Sequence, residues 1–194
     1  MQRILPSNAN LVPENAKKVF EGEIFDVYQW DEKFFDGTPA TFEMLKRPDT
    51  VKIIALKGNK IIVVEDIQPS SKPKITFPGG RIEQSDGSWL EAAKREMLEE
   101  TGLEFKTWKL IEVNQPISKI EWFVAWYIAS DFSDQISPQN DFGEKIKVFE
   151  YDIDNCFSNI FDKNNPETKY LPYSLKPGIK IEDILKIQEY VGTI

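Results

Sequence analysis

A chain of 194 residues with 24 Lys and Arg against 32 Asp and Glu carries a net charge of -8, too acidic a surface to wrap nucleic acid, which needs clustered cations. Its apolar share of 41% and charged share of 29% are those of an ordinary globular domain, long enough to bury a sizeable core. There is no His and a single cysteine, Cys156, which excludes Ser-His and Cys-His nucleophiles, His-ligated zinc, an intrachain disulfide and a thiolate zinc site, and leaves acid-base chemistry to carboxylates, Lys, Tyr or water.

Met1 to Val12 has no apolar core of the kind a signal peptide needs, and this segment is expected to be loosely tied. Val19–Trp30 and Ala40–Leu45 read as strands joined through Asp36-Gly37-Thr38-Pro39, a small N-terminal β element that ends at about Arg47. Val51–Leu56 and Ile61–Glu65 flank Lys57-Gly58-Asn59-Lys60 as a second hairpin, and Ile67 to Thr76 reads as a polar loop leading into Phe77-Pro78-Gly79-Gly80. Trp89 to Thr101 is the strongest helix. Trp108–Val113, Trp122–Ala129 and Lys147–Ile153 follow as strands, with a polar loop expected over Ser130 to Lys145. Ile181 to Val191 has the spacing of a terminal helix. The longest apolar run, Trp122 to Ala129, is far shorter than the roughly 20 residues of a membrane span, so a cytoplasmic protein is expected.

The helix carries the chemistry. Ser88 and Glu91 form a capping box at its start, Gly102 suits the position just past its end, and Leu90, Ala93, Met97 and Leu98 are expected to make its buried stripe. Glu96, Glu99 and Glu100 share a neighbouring face. Glu96 and Glu100 repel at four-residue spacing, and Glu99 and Glu100 lie where the helix dipole already concentrates negative charge. An accidental acidic surface is the bland explanation; a hard divalent cation such as Mg2+ would remove the conflict. Arg95 is spaced to hold Glu99 by ion pairing. Gly79 and Gly80, just upstream, allow close approach of backbone to a ligand.

Arg95-Glu96-Met97-Leu98-Glu99-Glu100-Thr101-Gly102-Leu103 resembles the second half of the Nudix box, Arg-Glu-U-x-Glu-Glu-x-Gly-U with U aliphatic, at every specified position. The first half departs from it. Counted forward from Gly80, the place of the box's first glutamate falls on Asp86; counted back from Arg95 it falls on Gly87, so the loop carries one inserted residue. The wider chain, with Arg47, Gln68 and Phe-Pro-Gly-Gly in order, is similar to the ADP-ribose and nucleoside-diphosphate-sugar pyrophosphatases.

That resemblance implies an α/β fold, a Nudix-type α/β/α sandwich with a mixed sheet over residues 48–194, preceded by an antiparallel β element over 1–47 that pairs two copies into a homodimer. It implies hydrolysis of the diphosphate of a nucleoside diphosphate derivative such as ADP-ribose, giving a nucleoside monophosphate and a sugar phosphate. Dinucleotides or nucleoside triphosphates as substrates, or a non-catalytic nucleotide-binding module, are the alternatives. The metal, Mg2+ or Mn2+, would be held by Gly79, Glu96, Glu99 and Glu100, with Arg95 beside them. The general base is carried onto Glu144, with Asp141 in reserve and Glu96 or Glu99 as substitutes. Arg47, Gln68 and Glu121 are the implied substrate contacts, and Tyr28 or Phe34 the aromatic stacked on the base. Where those enzymes have Gln-Tyr-Arg, this chain has Gln68-Pro69-Ser70; Lys72 and Lys74 are the candidates to replace the missing cation.

Overall fold

The structure, a computed structural model, describes residues 3–69, 71–138, 145–156, 164–172, 174–175 and 180–190. Ten strands are found among them: β1 (Lys17–Phe20), β2 (Asp26–Lys33), β3 (Pro39–Lys46), β4 (Thr50–Lys57), β5 (Lys60–Ile67), β6 (Lys74–Thr76), β7 (Leu103–Asn114), β8 (Ile120–Glu121), β9 (Val124–Gln135) and β10 (Lys145–Asp152). The helices are α1 (Trp89–Thr101), the single turn α2 (Ile153–Asn155) and α3 (Ile181–Lys186), with a 3-10 turn at Pro166–Tyr170.

β1, β2 and β3 form an antiparallel sheet whose tight turn places Gly37 at φ 85°, a conformation that glycine adopts without strain. Its far edge is not bare: β8 pairs with β3 in parallel at Leu45 and Lys46, stitching the N-terminal element to the rest of the chain. The main sheet runs β10-β5-β4-β9-β7, with β6 on β5. It is mixed, because β4 and β9 are parallel while the other pairs are antiparallel.

β4 and β5 are the reason for the site. They pair only at Ala55–Lys57 with Lys60–Ile62, next to the hairpin turn, and then diverge. Upstream, the amides of Val51 and Ile53 donate instead to the carbonyls of Gly80 and Pro78, each at 2.9 Å, so the Gly-Gly loop fills the fork as a false strand. Gly79 sits at φ 133°, and a Cβ there would meet the Val51 carbonyl oxygen at 2.1 Å. Only glycine fits.

α1 packs across one face of this sheet. Ser88 accepts from the Glu91 amide at its start, and Gly102 ends it at φ 70° with its amide on the Leu98 carbonyl, as the local signals predict. Its buried residues are Trp89, Ala92, Ala93, Met97 and Thr101, packed on Val51, Ile53, Ala55, Phe105 and Leu110. The expected stripe through Leu90 and Leu98 is therefore rotated, and both are only half-buried. The other face of the sheet, with Ile54, Val63, Phe77 and Trp126, is covered by Ile153, Cys156, Leu175 and Ile184 from the C-terminal elements, completing the α/β/α sandwich.

Three other expectations are corrected. The loop placed at Ser130 to Lys145 is strand as far as Gln135, because β7 begins at Leu103 and pairs back to it. Ile67 to Thr76 is not all loop, since Lys74–Thr76 pairs with β5 as β6. The terminal helix stops at Lys186: the Lys109 ammonium holds the carbonyls of Leu185 and Ile187, and the Tyr190 amide donates to Leu110 at 2.8 Å, so this segment covers an edge strand instead of coiling further.

At Gly102 a methyl group would meet the Ile136 carbonyl oxygen at 2.1 Å on a left-handed backbone. Gly102→Ala is expected to destabilise the fold by about 2 kcal/mol or more. Denaturant unfolding measures this, and a loss under about 0.5 kcal/mol would refute the strain.

Candidate active site

Arg95 is the hub of the loop–helix junction. Its guanidinium makes a bidentate pair with Asp86 (2.9 and 3.0 Å), donates to the Arg81 carbonyl (3.0 Å), and gives the hydrogens of Nη1 to Glu96 and Glu99, both at 2.9 Å. All five donors of the side chain are thus engaged. Asp86 is buried, also accepts from the Glu83 amide at 2.8 Å, and is held below the usual carboxylate range chiefly by Arg95. It is Asp86, not Gly87, that supplies the carboxylate which the first half of the motif requires.

Glu96 and Glu100 lie on the core-facing side of α1, in line with Trp89, Ala93 and Met97, and not beside that face as the sequence suggested. The Glu96 carboxylate presses against Gly80, where a Cβ would come within 2.5 Å of its oxygen. Burial pushes Glu96 up to about 7, partly opposed by Arg95. Glu100 accepts from the Gly79 amide at 2.9 Å. Glu99 is more open than Glu96. Glu96 and Glu100 border the Gly-Gly loop and Glu99 joins them through Arg95, but each is turned to a protein donor, and no metal-type cluster of three acidic, Cys or His side chains is found among the described residues.

Lys52 is a site residue that sequence reasoning missed. It interrupts the apolar run of β4, reaches into the fork, and donates to the Thr76 hydroxyl and the Phe77 carbonyl, each at 3.0 Å. Burial lowers its ammonium from the usual range, and the nearby charges of Glu100, Glu167 and Asp66 partly restore it. Glu167 comes from the 3-10 turn, where its carboxylate accepts from Thr76 at 3.3 Å. The visible signal was a lysine at a position whose neighbours Val51, Ile53 and Ile54 are all fully buried.

Comparison with known sequences matches the NUDIX domain over residues 46–168. The chain belongs to the NUDIX family. Two curated relatives of this NUDIX chain come from Bacillus: the methanol dehydrogenase activator of Bacillus methanolicus, 26% identical over 123 residues, and the ADP-ribose pyrophosphatase of Bacillus subtilis (strain 168), 26% identical over 122 residues. Each alignment takes in 62% of this chain and about three-fifths of the relative (60% and 59%). A crystal structure of an ADP compounds hydrolase superposes with a TM-score of 0.66 at 20% identity, covering 80% of this chain and 85% of that one, which shows the shared fold.

Around this NUDIX core the other expected residues fall as follows. Glu121 is 2% exposed and fully occupied: it accepts from Arg3 (2.6 Å), Lys46 (2.8 Å) and the Val12 amide (2.7 Å), so it ties down the N-terminal segment instead of forming a surface charge. Arg3 also forks onto Asp49 at 2.8 and 2.9 Å, so this segment is anchored, not loosely tied. Arg47 is held over the rings of Phe25 (5.5 Å) and Trp122 (4.7 Å), with a buried Nε lacking a partner among the described residues. It lines a cavity of about 470 Å³ with Arg3, Ile24, Lys46 and Asp49. Gln68 donates to Asp66 at 3.2 Å, and Lys74 pairs with the same carboxylate at 3.6 Å, while Lys72 is exposed. Tyr28 has the ammonium groups of Lys18 and Lys46 each 6.0 Å from its ring, and Phe34 packs on Phe42. Glu144 and Asp141 lie outside the described residues.

A buried carboxylate whose value in the folded protein lies above its unfolded one opposes folding once ionised, so its contribution to stability is lost as pH rises from about 4.5 through about 7. In EDTA, Glu96→Gln should therefore be more stable than the parent at pH 8, by about 1–3 kcal/mol, with the difference vanishing near pH 4. Unfolding curves at the two pH values test this. A parent at least as stable as the variant at pH 8 would contradict the burial effect.

Proposed function

We propose that this chain hydrolyses the diphosphate bond of an ADP-linked or other nucleoside-diphosphate compound, ADP-ribose being the first candidate, with Mg2+ or Mn2+ as cofactor. One observation carries the proposal: Glu96 and Glu100 contact the Gly79-Gly80 loop, and Arg95, fully committed, holds the loop together with Glu96 and Glu99. The relative named ADP-ribose pyrophosphatase adds support for the substrate class.

The donor chemistry suits a hard divalent cation. Glu96 is largely buried with one cationic partner at 2.9 Å, burial pushes its carboxyl up to about 7, and the neighbouring donors are carboxylate and peptide oxygens. Glu96, Glu99, Glu100 and the Gly79 carbonyl would hold the metal, which when bound lowers the pKa of water and neutralises charge on the diphosphate. Arg95 fixes the rotamers of Glu96 and Glu99, and its ties to Asp86 and Arg81 keep the loop seated against the helix. A carboxylate takes the proton of the attacking water: Glu144 is the assigned base, with Glu96 as the substitute within the described site. Arg47, Gln68 and Tyr28 are assigned to the substrate, while Glu121, expected as a fourth contact, is taken up by Arg3, Lys46 and the Val12 amide. The products would be a nucleoside monophosphate and a sugar phosphate.

Residues 1–47 are assigned as a dimerisation element and 48–194 as the hydrolase domain. Val19, Phe20, Phe34 and Phe35 are exposed on or beside the N-terminal sheet, as a surface covered by a second copy would require. Light scattering should give twice the chain mass, and Phe20→Asp with Phe35→Asp should give the monomer; a monomeric parent would end the dimer assignment.

The activity is tested with ADP-ribose, nucleoside diphosphate sugars, dinucleotides and nucleoside triphosphates in Mg2+, scoring released phosphate products. Glu100→Gln should lower kcat about 100-fold or more while retaining the parent's melting temperature. Nucleotide binding without turnover on any compound would replace the hydrolase with a binding module.

A further inference from the structure

The fork between β4 and β5 holds more polar chemistry than the helix glutamates require. The cations around the loop are mostly committed: Arg95 spends every donor, and Lys74 pairs with Asp66. Lys52 differs. Its ammonium donates to two neutral oxygens, has no carboxylate within 4.0 Å among the described residues, and keeps a third hydrogen to give. If its role were only to neutralise Glu100, Glu167 or Asp66, it would sit in contact with one of them. If it only bolted β6 to β4, a neutral donor would serve at less cost than a buried charge.

A second, independent observation lies beside it. Trp126 of β9 is paired with Lys52 across the parallel ladder and so lies on the same face of the sheet. Its indole N–H is buried without a partner among the described residues, although the ring packs edge-on against Phe77, whose carbonyl receives Lys52. A buried N–H left unpaired is costly and calls for an acceptor. A cation with a spare hydrogen, its Cα against Gly79, and an orphaned indole donor at the paired position of the next strand are the complement of an anionic oxygen ligand.

We propose that Lys52, assisted by the Trp126 indole N–H, contacts the phosphoryl oxygens of the substrate from the floor of the fork. This rests on the diphosphate-hydrolase function proposed above, and it makes Lys52 a specificity residue for the diphosphate rather than for the base or sugar. The cation would come from the middle of a strand, where its stem is fixed by packing, rather than from the Gln68-Pro69-Ser70 loop.

The test uses inorganic pyrophosphate with Mg2+ as the probe, its binding measured by calorimetry, with adenosine as the competitor that lacks phosphate. Lys52→Gln keeps a neutral donor for Thr76 and Phe77 but removes the charge. It should weaken pyrophosphate binding about tenfold or more, raise KM for the diphosphate substrate more than it lowers kcat, and leave inhibition by adenosine unchanged. Trp126→Phe keeps an aromatic ring but removes the indole N–H, and should weaken pyrophosphate about threefold. Unchanged pyrophosphate affinity in Lys52→Gln, equal losses for adenosine and pyrophosphate, or a parent that does not bind pyrophosphate would each overturn the proposal. Should Lys52→Gln not fold, the ammonium resonance of Lys52 in isotopically labelled parent protein decides: it shifts on pyrophosphate addition, or the contact is absent. A parent that hydrolyses no nucleoside diphosphate derivative, yet loses pyrophosphate binding on Lys52→Gln, would sustain this contact and overturn the hydrolase function alone.

Discussion

The guanidinium of Arg95 is the interaction on which the site depends. A helix that presents Glu96 and Glu100 toward a sheet places two carboxylates where apolar side chains belong, and burial of charge is tolerated only with partners. Arg95 provides one half of the compensation by binding Glu96 and Glu99; the Gly79 amide provides the other by binding Glu100. The remaining donors of the guanidinium clamp Asp86 and the Arg81 carbonyl, so the loop cannot leave the helix without exposing this charge cluster. Relative to the family pattern the loop has gained one residue and exchanged Glu for Asp. In this longer loop the shorter Asp86 side chain still reaches Arg95 in a bidentate pair.

Glycine at 79 and 80 follows from the same junction, for two different reasons. Position 79 needs a positive φ and lies against the Val51 carbonyl, which is what lets the loop replace β5 as the partner of β4. Position 80 has an ordinary backbone but faces the Glu96 carboxylate, so a side chain there would displace the buried acid. The fork in the sheet, the false strand and the acidic helix face are one construction, and its open end is where Lys52 and Thr76 project.

Much of this was legible in the sequence, because much of it is local. The bounds of α1 follow from Ser88 and Gly102, and the hairpins follow from β-branched runs around glycine turns. The acidic cluster of Glu96, Glu99 and Glu100 at the end of α1 is legible from spacing and electrostatics. The orientation of α1 was not, because hydrophobicity alone assigns Leu90 and Leu98 to the core and Glu96 to water, and only the pairing with Arg95 reverses that. Lys52 was hidden by the opposite bias, as one polar residue in an apolar strand. The terminal helix is shorter than its spacing predicts, because spacing says nothing of the Leu110 carbonyl on the edge of β7. Nor could the anchoring of Arg3 be read, since Asp49 and Glu121 come from parts of the chain 46 and 118 residues away.

That last anchor bears on the site itself. Asp49 stands immediately before β4, and its side chain holds Arg3 and the Phe123 amide while its backbone carbonyl accepts from Ile82, just beyond the Gly-Gly loop. The N-terminal segment, the start of β9 and the exit of the loop therefore meet at one residue. Glu121, bound by Arg3 and Lys46, closes the same knot from β8. Two buried carboxylate–arginine clamps, Arg3 at the entry of β4 and Arg95 beneath the loop it supports, thus fix the fork from both sides. Removing one partner of such a clamp leaves an uncompensated buried charge. The N-terminal segment therefore contributes to the geometry of the candidate site by holding β4 and the loop in register.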